Sequence, residues 1–363
     1  MVDVSVVIPS LNEAETIGTC IEKIKAVFSK YGLDGEIIVS DNSVDETPDI
    51  ARSLGAIVVT PDRRGYGYAY LYGFKHAKGE YVVMGDADDT YDFMEVSAML
   101  EPLKKGEADF VIGTRLNGRI EAGAMPWLHR WIGNPLLTWF LNLSFKTGIS
   151  DTHCGFRAIR RDALEKIDLR SHGMEFASEM IIEAAKAGLR MREVPVTYYP
   201  RKGGNSKLNS FSDGWRHLRF MLLCAPTYLF EYPGVILFSL GAFLMASALL
   251  DFNIGFTPRT NSMIAGSLLT LVGYQVLLFG TFTKMIQGLS LPKSFTLERG
   301  AIVAILMFAI GFAWTVKLVS EFMGSGVSPP VEQSIMGFSL MILGLQTFFS
   351  SFMLSIISMG RKR

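Results

Sequence analysis

The chain has 363 residues, room for two domains, with 35 basic and 35 acidic side chains and a formal net charge of +0 at pH 7. That balance gives no global field to gather nucleic acid, so a nucleic-acid partner is not expected. Hydrophobic residues make up 49% of the chain but are unevenly placed: residues 1–210 have ordinary globular composition, and those after Tyr232 are almost wholly apolar.

Residues 4–8 form an apolar, β-branched run that predicts a buried strand. Pro9 and Ser10-Leu11-Asn12 supply its turn, and residues 13–29 have helical periodicity. A second strand over 36–40 ends at Asp41-Asn42-Ser43, with a helix through 49–54. A third strand covers 56–60, and residues 65–77 open with glycines and continue as a helix. The fourth strand, 81–84, runs into Gly85-Asp86-Ala87-Asp88, ahead of a helix over 93–104 and a fifth strand at 110–113. This alternation predicts a parallel, doubly wound sheet whose ligands gather at the C-terminal ends of the strands. Pro9, Asn12, Glu13, Asp41 and residues 86–89 all fall at those ends.

Residues 116–150 are less regular and hold Trp127, Trp131 and Trp139; they read either as packing helices or as a membrane-facing segment on the acceptor side. Residues 151–161 read as a loop entering a strand, 175–187 as an amphipathic helix, 193–198 as a late strand, and 200–209 as a mobile connection. Residues 211–228 mix Trp215, Leu218 and Phe220 with Arg216, His217 and Arg219, which suits a helix in the membrane interface or an amphipathic docking helix. The expected division is a catalytic domain over 1–210, an interfacial region over 211–232 and a membrane domain over 233–363.

Four stretches, 233–250, 263–282, 301–316 and 335–357, lack Asp, Glu, Lys and Arg. Each approaches or exceeds the roughly 17–25 residues that cross hydrocarbon as a helix. The shortest extends past Lys317, whose side chain can snorkel. The two span pairs suggest a weak internal repeat. Lys284, Lys293 and Arg299 in the middle loop, with Arg361-Lys362-Arg363 at the end, outweigh the basic residues of the other two loops. The positive-inside rule therefore puts residues 1–210, the middle loop and the C-terminus in the cytoplasm. No signal-peptide pattern precedes the first strand. Cys20, Cys154 and Cys224 lack metal-ligand spacing and are expected to be reduced, without a disulfide.

Asp86 and Asp88 carry the most chemistry. Alternation along an extended strand would turn both carboxylates to one side, and hard oxygens suit Mg²⁺ or Mn²⁺ completed by phosphate oxygens. Such an ion would neutralise charge on a departing diphosphate. Asp41 is expected to hold a ribose or base, whereas Asp45, Thr47 and Ser43 suit turn and capping chemistry. Arg63-Arg64-Gly65-Tyr66-Gly67 offers charge and a close backbone approach to phosphate, without the lysine and hydroxyl of a Walker loop. Arg115, Arg157 and Arg201 lie in three cationic clusters, and arginine pairs bidentately with phosphate. No Ser-His-Asp or Cys-His arrangement is visible, so no covalent nucleophile is expected.

Taken in order, VSVVIPSLNEAETI, IIVSDNSVDET, RRGYGYAYLYGFKHAKGEYVVMGDADD, FVIGTR, DTHCGFRAIRRDAL and EVPVTYYPRKGGNSKL resemble glycosyltransferase family 2 with its GT-A fold. Within it the chain is similar to polyprenyl-phosphate hexose synthases, the dolichyl-phosphate mannose and glucose synthases. The resemblance implies an α/β GT-A domain followed by an all-α domain of four transmembrane helices. It implies an inverting transfer of glucose or mannose from UDP-glucose or GDP-mannose to a polyprenyl phosphate. Pro9, Asn12, Glu13, Asp41 and Arg201 would contact the nucleotide sugar, Asp86 and Asp88 the metal and diphosphate, and Arg115, Arg157 and Ser206 the acceptor phosphate. Glu179 would be a base or metal-side helper, or else a helix residue bonding a nearby arginine. Asp89-Thr90 replaces the Leu-Gln usual after DAD in mannose synthases, and DTHCGFR is closer to the DTQCGFK of glucose synthases, which favours UDP-glucose. The four glutamines, Gln275, Gln287, Gln333 and Gln346, lie in or beside the spans, so the QxxRW of processive synthases is missing. Transfer to another membrane lipid such as diacylglycerol, and a non-catalytic scaffold, remain the alternatives.

Overall fold

The computed structural model describes residues 2–203, 210–253, 255–288 and 296–360, and the chain packs as two units, Met1–Met221 and Leu222–Arg363. Ser206, Lys293, the C-terminal basic triplet and most of the connection expected over 200–209 lie outside the described residues.

The first unit runs β1 (Val4–Ser10), α1 (Ile17–Tyr31), β2 (Gly35–Asp41), α2 (Thr47–Ser53), β3 (Ile57–Val59), α3 (Tyr66–Phe74), β4 (Tyr81–Met84) and α4 (Val96–Lys104). It continues through β5 (Phe110–Ile120), α5 (Asn134–Phe145), β6 (Arg157–Arg160), α6 (Arg161–Leu164), α7 (Phe176–Lys186), β7 (Met191–Tyr198) and α8 (Ser210–Cys224). The strands form one sheet in the order β3-β2-β1-β4-β6-β5-β7. β1 is central to the parallel half, and Val4, Val6, Val7 and Ile8 are fully buried, as a strand covered on both faces requires. α1 seals its side with Ile17, Cys20, Ile21, Ile24 and Val27 at helical spacing, and Gly32, with φ 61°, ends it in the left-handed conformation.

The sheet is mostly parallel, with one exception. β6 lies antiparallel to both β4 and β5, whereas β5 and β7 are parallel. The chain leaves β5 for α5 and then stays at that end of the sheet, because Asp151 is bonded to Arg115 and Ser150 to Thr114, both of β5. No crossover returns it to the opposite edge, so the next strand must run backwards. β5 is also longer than the predicted 110–113, with an irregular register against β7 between Thr114 and Arg119. The three cysteines are free, and burial pushes the Cys20 and Cys154 thiols up to about 12.

The second unit holds α9 (Tyr232–Leu249), α10 (Thr260–Ile286), α11 (Leu297–Ser325) and α12 (Val331–Gly360). Four helical spans, Thr227–Leu249, Thr260–Ile286, Leu297–Ser325 and Val331–Met359, are long and apolar enough to cross a membrane. The third reaches 29 residues by carrying Lys317 and Glu321, whose charges lie 3.7 Å apart one turn along the helix.

The suspected repeat has a structural counterpart. A Cβ on Gly241 would lie 2.5 Å from the Gly266 carbonyl oxygen, and one on Gly311 would lie 2.7 Å from that of Gly337. A Cβ on Gly273 would sit 2.3 Å from the Phe238 nitrogen, and one on Gly344 would sit 2.8 Å from the Phe308 nitrogen. Gly241 and Phe238 map onto Gly311 and Phe308 by adding 70, and Gly266 and Gly273 onto Gly337 and Gly344 by adding 71. The hairpins α9–α10 and α11–α12 therefore pack through the same small-residue positions. Polar pairs join α10 to α12, spaced seven residues apart along α10: Thr260 with Glu332 at 2.5 Å, Ser267 with Ser339 at 2.7 Å and Tyr274 with Thr347 at 2.6 Å. Gln275 and Gln346, equivalent under the same addition of 71, bond each other at 3.1 Å. Contact between like positions of two like hairpins, with α10 and α12 running the same way, is what a pseudo-two-fold arrangement produces.

Candidate active site

A cavity of about 310 Å³ opens at the C-terminal ends of the parallel strands. Its wall includes Pro9, Glu13, Asn42, Arg64, Tyr66, Asp86, Asp88, Met174 and Arg201. Of the residues expected to meet a nucleotide sugar or metal, Pro9, Glu13, Asp86, Asp88 and Arg201 converge here, from three separate parts of the chain. Asp41 and Asn12 are not part of this wall. The Asp41 carboxylate is buried and accepts from the hydroxyls of Ser10 and Ser43, and the Asn12 Oδ1 accepts from the Val44 N–H. Their neighbour Asn42 faces the cavity instead.

Asp86 and Asp88 both line the cavity, although not as alternate residues of a strand. β4 ends at Met84, and Ala87 and Asp88 form a turn. Asp86 Oδ1 accepts from the Tyr66 hydroxyl at 3.0 Å, with the Tyr70 hydroxyl at 3.5 Å. Burial, and then the Asp88 charge, push Asp86 up to about 7. Asp88 Oδ1 accepts from the Thr90 hydroxyl at 2.7 Å, and its Oδ2 lies 3.3 Å from Arg201 Nη1. Arg201 also binds the Glu13 carboxylate, so one guanidinium bridges two acids across the cavity mouth. Among the described residues no cluster of three or more His, Cys, Asp or Glu side chains is set to hold a metal ion. Asp86 and Asp88 fit an ion that takes its other ligands from phosphate and water, and the raised Asp86 marks a carboxylate short of positive charge.

Asp89 faces away from this chemistry. It is 1% exposed and bonds Lys23 at 2.7 Å and Lys202 at 2.6 Å, so it anchors the turn and the segment after β7. Within Arg63-Arg64-Gly65-Tyr66-Gly67, Arg64, Gly65 and Tyr66 line the cavity, and both glycines also pack closely against the loop at 171–172. A Cβ on Gly65 would lie 2.4 Å from the His172 carbonyl oxygen, and one on Gly67 would lie 2.3 Å from that of Ser171.

Three residues expected at the site have their side chains engaged by other partners. Arg157 is 1% exposed and donates to the carbonyls of Cys154 at 2.8 Å, Ala177 at 2.8 Å and Thr152 at 2.9 Å. It braces the 152–156 loop against α7 and has no free face for an acceptor phosphate. Arg115, also buried, pairs bidentately with Asp151 through Nε at 2.7 Å and Nη2 at 2.8 Å, and stacks on the Tyr198 ring. Its fork is filled by a carboxylate in the way a phosphate would fill it. Glu179 is buried, and its carboxylate accepts the backbone N–H groups of Arg170 at 3.0 Å and Ser171 at 2.8 Å. It holds the loop that carries Met174 to the cavity, in keeping with the alternative of a helix residue bonding a nearby arginine. An arginine or glutamate read from a motif shows its charge but not the partner that consumes it. Tyr66 and Tyr70 were missed because hydroxyl side chains in a Gly-Tyr-rich helix look like packing.

A mixed sheet with carboxylates at a strand end, joined to four apolar helices, defines a membrane-attached sugar-transferring enzyme. Residues 5–168 match glycosyl transferase family 2, and residues 289–358 match the glycosyltransferase family 2 C-terminal transmembrane region. The chain belongs to glycosyltransferase family 2, and its spans make it a multi-pass membrane protein. It is 44% identical over 363 residues to the low-salt glycan biosynthesis hexosyltransferase Agl6 of Haloferax volcanii, covering 96% of this chain and 88% of that one. The glycosyltransferase AglJ of the same organism is 33% identical over 213 residues, 58% of this chain and 68% of its own. The crystal structure of mannosyl-3-phosphoglycerate synthase from Rubrobacter xylanophilus superposes with a TM-score of 0.50 at 25% identity, over 61% of this chain and 73% of that one.

Proposed function

We propose that this hexosyltransferase moves a hexose, glucose before mannose, from a nucleoside-diphosphate sugar to the phosphate of a polyprenyl lipid at the cytoplasmic membrane face. The observation that carries the reading is the pair Asp86 and Asp88 in a cavity that also receives Arg201 and Glu13. The four spans support a lipid acceptor, and the basic residues at the inner ends of α10 and α11 support the orientation.

In this reading Asp86 and Asp88 hold Mg²⁺ or Mn²⁺, and Pro9, Glu13 and Asn42 receive the nucleoside. The bound ion supplies charge neutralisation to the diphosphate as the sugar leaves. Arg201 and Arg64 face the same cavity and add fixed positive charge where the leaving group becomes more anionic. A phosphate oxygen of the lipid forms the new bond to the anomeric carbon, the bond from that carbon to the nucleoside diphosphate breaks, and its electron pair leaves with the diphosphate. Attack from the opposite face inverts the configuration. The acceptor is already anionic, so no general base is needed, and Glu179 is free to hold its loop.

Nucleotide release tests the assignment. With UDP-glucose the full chain is expected to release UDP only when polyprenyl phosphate and a divalent ion are both present, and chelator should stop it. Release that persists in chelator would remove the ion, and release only with GDP-mannose would reverse the sugar.

A further inference from the structure

Tyr66 is the first residue of α3, four positions ahead of Tyr70, so the two side chains fall on one face of the helix. That face meets Asp86. Both hydroxyls address the same carboxylate oxygen, Oδ1, from 3.0 Å and 3.5 Å. The Tyr66 ring meets the Tyr70 ring edge to face at 5.1 Å, and Tyr70, fully buried, stacks on Phe176 at 5.6 Å. Gly67 permits this packing, since a Cβ there would lie 2.7 Å from the Phe176 Cβ. The shorter of the two contacts therefore comes from a ring that rests on a packed aromatic column.

The other carboxylate oxygen is confined as well. Asp86 Oδ2 lies beside Gly155, where a Cβ would come 2.7 Å from it and 3.2 Å from the Tyr66 hydroxyl. Gly155 is itself fixed, its N–H donating to the hydroxyl of the buried Tyr91 at 2.8 Å.

We propose that Tyr66 is a positioning residue for Asp86, its hydroxyl holding the carboxylate in one orientation to receive a divalent ion. The terminal torsion of an aspartate is soft, and a carboxylate without a partner would have to be ordered when the ion arrives. Carboxylates that ligate metals are themselves hydrogen-bonded, and those partners set the ligand's direction. The kind of donor matters here. A hydroxyl orients the carboxylate and leaves its charge for the ion, whereas a guanidinium in that place would compete with the ion. Asp88 is held differently, by Thr90 of its own turn and by Arg201, so the two acids have independent supports. Packing accounts for the ring of Tyr66 but not for the aim of its hydroxyl, which leaves the aromatic column for the cavity wall.

The inference rests on the reading of Asp86 as an ion ligand, and the test keeps the two apart. The full chain in detergent is titrated with Mn²⁺ beside UDP, and separately beside GDP, while the free ion is followed by its electron paramagnetic resonance signal. Tyr66→Phe removes one oxygen and keeps the ring. It should weaken Mn²⁺ binding about 10–100-fold, with the melting temperature and the calorimetric nucleotide affinity in chelator both at the parent's values. Tyr70→Phe, which loses the longer contact, should weaken it less. Equal Mn²⁺ binding by the parent and Tyr66→Phe overturns the proposal and leaves the ion in place. A lowered melting temperature with unchanged Mn²⁺ binding, or a Tyr66→Phe chain that does not fold, makes the hydroxyl part of the framework and overturns it too. No Mn²⁺ binding by the parent beside either nucleotide removes the ion, and this inference with it.

Discussion

The two units solve the same packing problem with different chemistry. In the first, ions are buried and fully paired: Arg115 with Asp151, Arg157 with three carbonyls, Asp89 with two lysines. In the second, the pairs that join α10 to α12 are nearly all neutral, and helices approach through glycine. Water drives the collapse of the first unit, and that surplus carries the desolvation of a few charges that then hold loops around the cavity. Lipid gives the second unit no hydrophobic drive between helices, so close backbone contact and neutral hydrogen bonds must suffice. Glycine shows the same contrast. Gly65, Gly67 and Gly155 bring loops to a site, whereas Gly241, Gly266, Gly311 and Gly337 bring helices together.

The largest expected effect is catalytic. Asp88→Ala should lower transfer about 10²–10³-fold or more, with circular dichroism and melting temperature close to the parent. A large drop in melting temperature would instead make Asp88 part of the framework, through Thr90 and Arg201.

Arg157→Met comes next and tests whether buried charge holds the first unit. It removes three hydrogen bonds to buried carbonyls, at a cost of about 3 kcal/mol or more. Urea unfolding followed by tryptophan emission should show it. An unchanged midpoint with weakened lipid dependence would return Arg157 to the acceptor phosphate.

A third prediction concerns pH. His153 and His217 meet edge to face at 4.5 Å, and His217 Nδ1 lies 2.8 Å from Ser178 Oγ. Burial lowers His217 to about 4 and, with His217 beside it, holds His153 well below the ordinary range. The unfolded chain binds these protons first, so stability is full above about pH 6.5 and falls as the pH drops toward 4. For His217 the loss is about 2–3 kcal/mol. His217→Gln should flatten the decline measured by thermal unfolding. An equal slope in parent and variant would show that the pair does not titrate with folding.

The smallest effect belongs to the membrane unit. Gln275→Leu with Gln346→Leu should cost only about 0.6–1.7 kcal/mol in detergent unfolding, the range of single interhelical hydrogen bonds in membranes. The single variants should be worse than the double, since each leaves one amide unpaired. A double variant worse than either single would remove the paired contact.

Periodicity reported the elements well, because strand and helix patterns are local: β1 and β4 start where the apolar runs start, and α1 begins at Ile17, within the 13–29 periodicity. The reversal of β6 was not legible, since it depends on Asp151 reaching Arg115 across 36 residues. The position of Asp86 and Asp88 at a strand end was legible because both follow closely on the apolar run of β4. The partners of Arg115, Arg157 and Glu179 were not legible, because each is a distant or backbone group that no spacing encodes. The repeat was only faintly visible, as its glycines mean little until α9 and α11 meet α10 and α12.

The central claim, hexose transfer to an anionic lipid phosphate, is tested most directly by acceptor competition. The full chain in vesicles, with divalent ion and labelled UDP-glucose, is offered polyprenyl phosphate and diacylglycerol together, with the Asp88→Ala variant beside it. The account predicts label in polyprenyl phosphate alone and almost none with the variant. Label in diacylglycerol, or equal transfer by the variant, would contradict it.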